Sequence, residues 1–125
     1  MDAEDVRNRV RTICLSFPGV IEETTHPDHS GFIAGKKRFC YFLNNHHGDG
    51  VVGLTCKAGP GVQGALVDLD PTRFYLPAYM HHHGWVGMRL DIEPVDWVQA
   101  ELLLREAYEA SSPKRLLAEY RARTN

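Results

Sequence analysis

A chain of 125 residues is long enough for one domain and too short for two ordinary ones. At that length roughly two-thirds of the unfolded surface is buried on folding, so neither a disulfide nor a structural metal is required. A formal charge of −2 with a pI near 6.4 excludes a uniformly basic nucleic-acid coat, and no apolar run reaches the length of a membrane span.

The chain opens MDAEDVRNRV, acidic and helical rather than signal-like, which predicts a cytoplasmic protein. In AEDVRNRVRTICLSF the residues Val6, Val10, Ile13, Cys14 and Phe17 share one helical face, Asp2 stands at the N-cap and Pro18-Gly19 ends the segment. Glu22 and Glu23, just past that turn, are expected as loop charges. SGFIAGKKRFCYFL divides into two short strands around Gly35-Lys36-Lys37, where glycine can supply the positive φ of a tight hairpin turn and the lysines occupy the tip. NNHHGDG forms a second turn, and VVGLTCK a third strand with Val52, Leu54 and Cys56 on one face. Gly59-Pro60 breaks the chain before a short helix in GVQGALVDLD.

RFYLPAYM predicts an irregular edge segment, because Pro77 cannot donate to a ladder. WVGMRLD alternates, sending Val86, Met88 and Leu90 one way and Trp85, Gly87 and Arg89 the other. Pro94 is expected to start the longest helix, VDWVQAELLLREAYEA, with Glu101, Arg105 and Glu109 as a ladder on its solvent face. SSPKRLLAEY then offers a serine cap, a proline at the first helical position and an apolar stripe of Leu116, Leu117 and Tyr120. This order predicts a single α+β domain over residues 1–125, a two-layer sandwich with the helices on one face of an antiparallel sheet.

Cys14, Cys40 and Cys56 are odd in number, widely spaced and set among apolar neighbours, which suits reduced core thiols. There is no G-x-S-x-G, no phosphate-binding glycine loop and no zinc-hydrolase helix, so no enzymatic activity and no cofactor is expected. The triplet His81-His82-His83 can converge at most two ligands if extended, and the pairs His26/His29 and His46/His47 fit no established ligand spacing, so no metal site is expected. Charge is unevenly spread. Residues 26–90 hold six Lys/Arg, four acids and all seven histidines, a formal +2, whereas the flanks hold eight basic residues and twelve acids, −4. A basic middle between acidic ends is compatible with one anion-facing side.

Three segments in order, LSFPGVIEETTHPDHSGFIAGKKRFCYFL, PTRFYLPAYMHHHGWVGMRLD and VDWVQAELLLREAYEASSPKRL, resemble the MmcQ/YjbR family in its PGV-E, HP and GKK-F opening, its F-PAY and GWV middle and its VDW, Y and PK ending. The resemblance spans nearly the whole chain. It implies a CyaY-like (frataxin-like) fold and DNA binding through two wings. On this chain one wing tip would carry Lys36, Lys37 and Arg38 and the other His81, His82 and His83. Similar proteins tend to carry Asn and Lys in the second turn, so histidines there depart from the pattern. Lysines on a hairpin contact phosphates without reading sequence, so DNA binding would be weak and largely non-specific. Lys57, Trp85 and Arg89 would add an aromatic and cationic sheet face. The same open face around Trp85 supports the alternative, a small-ligand or protein-binding module. The resemblance brings no acidic ridge with it, since the first helix alternates Glu4 and Asp5 with Arg7, Arg9 and Arg11, so iron handling is not implied.

Overall fold

The computed structural model describes residues 1–124, apart from the side chain of Thr25. Helix α1 (Ala3–Leu15) starts where its sequence places it. The Asp2 carboxylate accepts the Asp5 backbone N–H at 2.8 Å, and the Asp5 carboxylate accepts that of Asp2 at 3.1 Å, so two of the otherwise unpaired amides of the first turn are satisfied reciprocally. Val6, Val10 and Cys14 of this helix are buried, as their spacing requires.

Six strands follow the antiparallel order β1-β2-β3-β4-β6-β5: β1 (Val20–His26), β2 (His29–Ala34), β3 (Lys37–Asn44), β4 (Val52–Lys57), β5 (Phe74–Tyr75) and β6 (Trp85–Arg89). Strand β1 corrects the expectation of a loop over Glu22 and Glu23. It is an edge strand whose sequence, VIEETTH, lacks apolar alternation, and its Ile21 is 59% exposed. Glu22 holds it to the first layer by accepting from Arg11 Nε at 2.7 Å and from Ser30 Oγ at 2.6 Å. In β3 a bulge leaves Phe39 unpaired, because Phe32 faces Cys40 while Ile33 faces Arg38. Two consecutive residues, Phe39 and Cys40, thereby both become fully buried, which strict alternation forbids.

Helices α2 (Val62–Leu69), α3 (Trp97–Ser111) and α4 (Lys114–Thr124) complete the chain. Helix α3 begins three residues after Pro94, not at it: the Asp96 carboxylate accepts the Gln99 N–H at 3.0 Å, and a side-chain cap fixes the start more firmly than a permissive proline. Ser112 likewise does not cap α4; its hydroxyl donates back to the Tyr108 carbonyl at 2.6 Å.

Val10 and Cys14 of α1, with Ala100, Leu104 and Ala107 of α3, belong to one buried cluster with Cys40, Phe42, Leu54, Cys56, Val86 and Met88 of the sheet. Both helices therefore lie on one sheet face, giving the expected α+β sandwich. All three cysteines are free and buried, and burial pushes the Cys40 and Cys56 thiols well up, so they stay protonated. At the domain's closing seam Tyr108 donates its hydroxyl to the Pro18 carbonyl at 2.8 Å and stacks on Phe17 at 4.7 Å. No described helix is long and apolar enough to cross a membrane.

Candidate functional site

Strand register decides which of the predicted site residues meet. Ala34 faces Lys37 across the β2–β3 turn, Cys40 faces Cys56, and Lys57 faces Trp85. The start of β3, the end of β4 and the start of β6 therefore lie at one end of the sheet, which gathers Lys36, Lys37, Arg38, Lys57 and the residues just before Trp85. Lys36, Lys37, Arg38 and Lys57 are all exposed. Arg38 is spent, however, because its guanidinium pairs with Glu23 of β1.

The β2–β3 tip does not project freely as a wing. Gly35 has φ +65, and a side chain there would come within 2.9 Å of the Pro113 ring, so the turn packs closely on the α3–α4 elbow and requires glycine for both reasons. A cleft of about 490 Å³ opens between the two, lined among others by Lys36, Lys37, Ser111 and Arg115. Ser111 is 7% exposed at its floor. Arg115, which the sequence alone did not place beside the hairpin, thus joins its lysines. Among the described residues Lys36, Lys37, Lys57, Lys114 and Arg115 have no ion-pair partner.

His81, His82 and His83 form a single 3₁₀ turn rather than an extended strand or the tip of a tight hairpin, and all three are exposed. Gln63 of α2 holds this turn by donating to the His81 carbonyl at 2.7 Å and to the Trp85 carbonyl at 2.6 Å. Trp85 contradicts the expectation of an open stacking face. It points away from the main core, as its alternation requires, yet is 6% exposed and lies 5.7 Å from the Tyr41 ring. Arg89 falls at the other end of the sheet, opposite Gly53, with both its Nε and a terminal nitrogen donating to Asp91 at 3.0 Å. It does not join the other cations.

The outer sheet face, opposite α1 and α3, carries a second depression. A cleft of about 460 Å³ is lined by Tyr41, Tyr75, Tyr79, His29, His46 and Asp49, with His47, Thr55 and Pro77 among the remaining walls. Two histidine pairs far apart in sequence meet beside it: His26 stacks on His29 at 4.5 Å, His29 lies 5.2 Å from His46, and His46 lies 3.9 Å from His47. Burial, with the neighbouring histidines, holds the His29 and His46 imidazolium forms below the ordinary histidine range. The His29 Nδ1 accepts the Asn44 N–H at 3.2 Å, which places the ring proton on Nε2. Among the described residues no three His, Cys, Asp or Glu side chains come together as a metal-binding group.

The sequence profile of the YjbR family matches residues 15–110. The chain belongs to the YjbR family. The crystal structure of the Deinococcus radiodurans protein DR2400, which carries the domain DUF419, is similar to this YjbR-family chain with a TM-score of 0.70 at 19% identity, over 86% of this chain and 79% of that one. At that identity the likeness speaks for the fold. No curated protein matches.

Proposed function

We propose that this YjbR-family chain is a DNA-binding protein of the cytoplasm rather than an enzyme, holding the phosphate backbone weakly and with little sequence preference at the cationic end of its sheet. The CyaY-like, DNA-binding character implied by the sequence resemblance belongs to the same reading. The observation that carries it is the convergence of Lys36 and Lys37 with Arg115 around one cleft, with Lys57 at the same sheet end and no acid paired to any of them among the described residues. Cations left unpaired at a surface are available to replace the counterions of a phosphate chain. A point-charge contact of this kind fixes position on a duplex without reading bases.

The reading differs from a two-wing clamp. One wing tip is buttressed by the α3–α4 elbow, and the opposing turn carries imidazoles in place of ammonium groups. Arg38 and Arg89, each ion-paired, are left out of the interface, and Trp85 is too buried to stack on a base.

Fluorescence anisotropy with a labelled duplex at low salt tests it. Binding that weakens steeply with salt, and is weakened but still measurable at low salt in the triple variant Lys36→Ala, Lys37→Ala, Arg115→Ala, is expected. No binding with tens of micromolar protein, or binding indifferent to salt, overturns it.

A further inference from the structure

The cleft on the outer sheet face lies apart from the cationic end, and its chemistry is different. Its lining is rich in aromatic rings: Tyr41 from β3, Tyr75 from β5, Tyr79 from the segment leading to the histidine triplet, and the imidazoles of His29 and His46. Among the described residues no two of the three tyrosine rings stack on one another, so the space between them is not filled by their own contact. Asp49 is the one carboxylate in the lining, and no lysine or arginine is present there. The guanidiniums that act on its lining, Arg38 on Tyr41 and Arg89 on Tyr75 and Asp49, are already paired with Glu23 and Asp91.

The backbone around the mouth is also unusual. Three non-glycine residues of the described chain have positive φ, Asn45 (56°), His47 (55°) and Tyr79 (67°). Two of them line this cleft and the third precedes His46. Asparagine and histidine both tolerate that region, and at Tyr79 it closes a turn in which the Met80 and His81 N–H groups donate to the Pro77 carbonyl, so the bulky Tyr79 is the outlier of the three. The rings of His47 and Tyr79 lie 6.2 Å apart and edge to face.

We propose that this cleft binds a small organic cation, a quaternary ammonium or an alkylated amine, against the ring faces of Tyr41, Tyr75 and Tyr79 with Asp49 as its counter-charge. The electron-rich faces of phenol rings attract a cation that is too weakly hydrated to prefer water. An anion would meet the Asp49 carboxylate, which one backbone donor, the Val51 N–H at 2.9 Å, only partly satisfies. A neutral apolar guest gains the same walls but nothing from Asp49, so charge is what separates the two. The imidazoles serve as further aromatic wall while uncharged, and His29 and His46 are held in that form at neutral pH by burial and by their histidine neighbours.

The test titrates the full chain with choline and, separately, with its carbon isostere, in which carbon replaces the ammonium nitrogen, following backbone amide resonances by NMR. Saturable choline shifts confined to the segments lining the cleft, around residue 29 and over residues 41–49 and 75–80, with a Kd in the millimolar range or tighter, are expected. The isostere should bind roughly tenfold more weakly, and Asp49→Asn and Tyr79→Ala should each cost choline a factor of roughly two to five, the size of one exposed cation–π or counter-charge contact. Tyr79 is 74% exposed, so its removal leaves the circular dichroism spectrum unchanged. Equal binding of choline and the isostere, or no saturable choline shift in the millimolar range, overturns the proposal. Weakened DNA binding in the cationic-end variants bears on neither outcome.

Discussion

The Tyr75 ring of the edge strand β5 lies directly over Gly87 of β6, filling the space that a side chain at residue 87 would occupy. An aromatic ring laid across a glycine caps an otherwise bare patch of sheet and forms one wall of the outer cleft. Burial, with Asp49 and Asp91 nearby, pushes the Tyr75 phenol up to about 12, so the ring stays neutral. Gly87→Ala forces the ring away and should cost roughly 1–3 kcal/mol, as overpacking does. Urea denaturation checks this. In the double variant with Tyr75→Ala the two losses should sum to less than their separate values, because the clash disappears with the ring.

Arg7 gives a second case. It is 6% exposed, and its guanidinium donates to Ser30 Oγ at 2.9 and 3.1 Å, to the Pro27 carbonyl at 2.5 Å and to the His29 carbonyl at 3.0 Å. It thereby ties α1 to the β1–β2 turn. Arg7→Ala strands these acceptors in a buried site, at a cost of roughly 2–4 kcal/mol. Arg7→Lys keeps the charge but not the planar fork and should recover less than half of that loss. Denaturant midpoints of the two variants decide it.

These two residues mark where the sequence is legible. The face of α1, the β2–β3 hairpin, the inward set Val86, Met88 and Leu90, and the edge character around Pro77 all follow from periodicity and turn chemistry, which are local. Arg7 sits among Glu4, Asp5, Arg9 and Arg11, and nothing local separates a buried arginine from solvated ones; its partners are twenty or more residues away. Strand β1 was hidden because an edge strand held by polar side chains shows no apolar alternation. Alternation puts Trp85 on the face away from the core but carries no sign of its cover, which comes from tertiary contact with Tyr41. The outer cleft is assembled from β3, β5 and two irregular segments, and positive φ at His47 and Tyr79 leaves no sequence signal.

Stability should depend on pH through His29 and His46. Both have folded-state values held below the ordinary histidine range, His29 by burial and by His26 and His46, His46 by burial and by His47, with Asp28 and Asp49 opposing. The unfolded chain therefore binds more protons than the folded one as pH falls below about 6.5. The contribution is fully present above that value and is lost as pH falls through the lowered values. Thermal unfolding followed from pH 7.5 to 5.5 should show a falling midpoint, and His29→Asn should flatten the curve. An unchanged curve in that variant would leave His29 without a share in the dependence.

The final prediction concerns the size of the electrostatic contact. Each phosphate neutralised on B-form DNA contributes about 0.9 to the negative slope of log K against log salt. Lys36, Lys37, Lys57 and Arg115 are the cations placed at the proposed interface, so their contributions should be separable by charge removal. Removing Lys36, Lys37 and Arg115 together should flatten the slope by roughly 2–3, and Lys57→Ala by roughly a further one. Arg89→Ala should leave the slope where it is, because that guanidinium is paired with Asp91 at the opposite end of the sheet. Losses should be nearly equal on duplexes of unrelated sequence, as phosphate contacts carry affinity without base readout. Anisotropy titrations at several salt concentrations measure all of this. A slope reduced by Arg89→Ala but not by the Lys36, Lys37, Arg115 variant would move the interface to the other end of the sheet, where Asp49 and Asp91 oppose a phosphate chain.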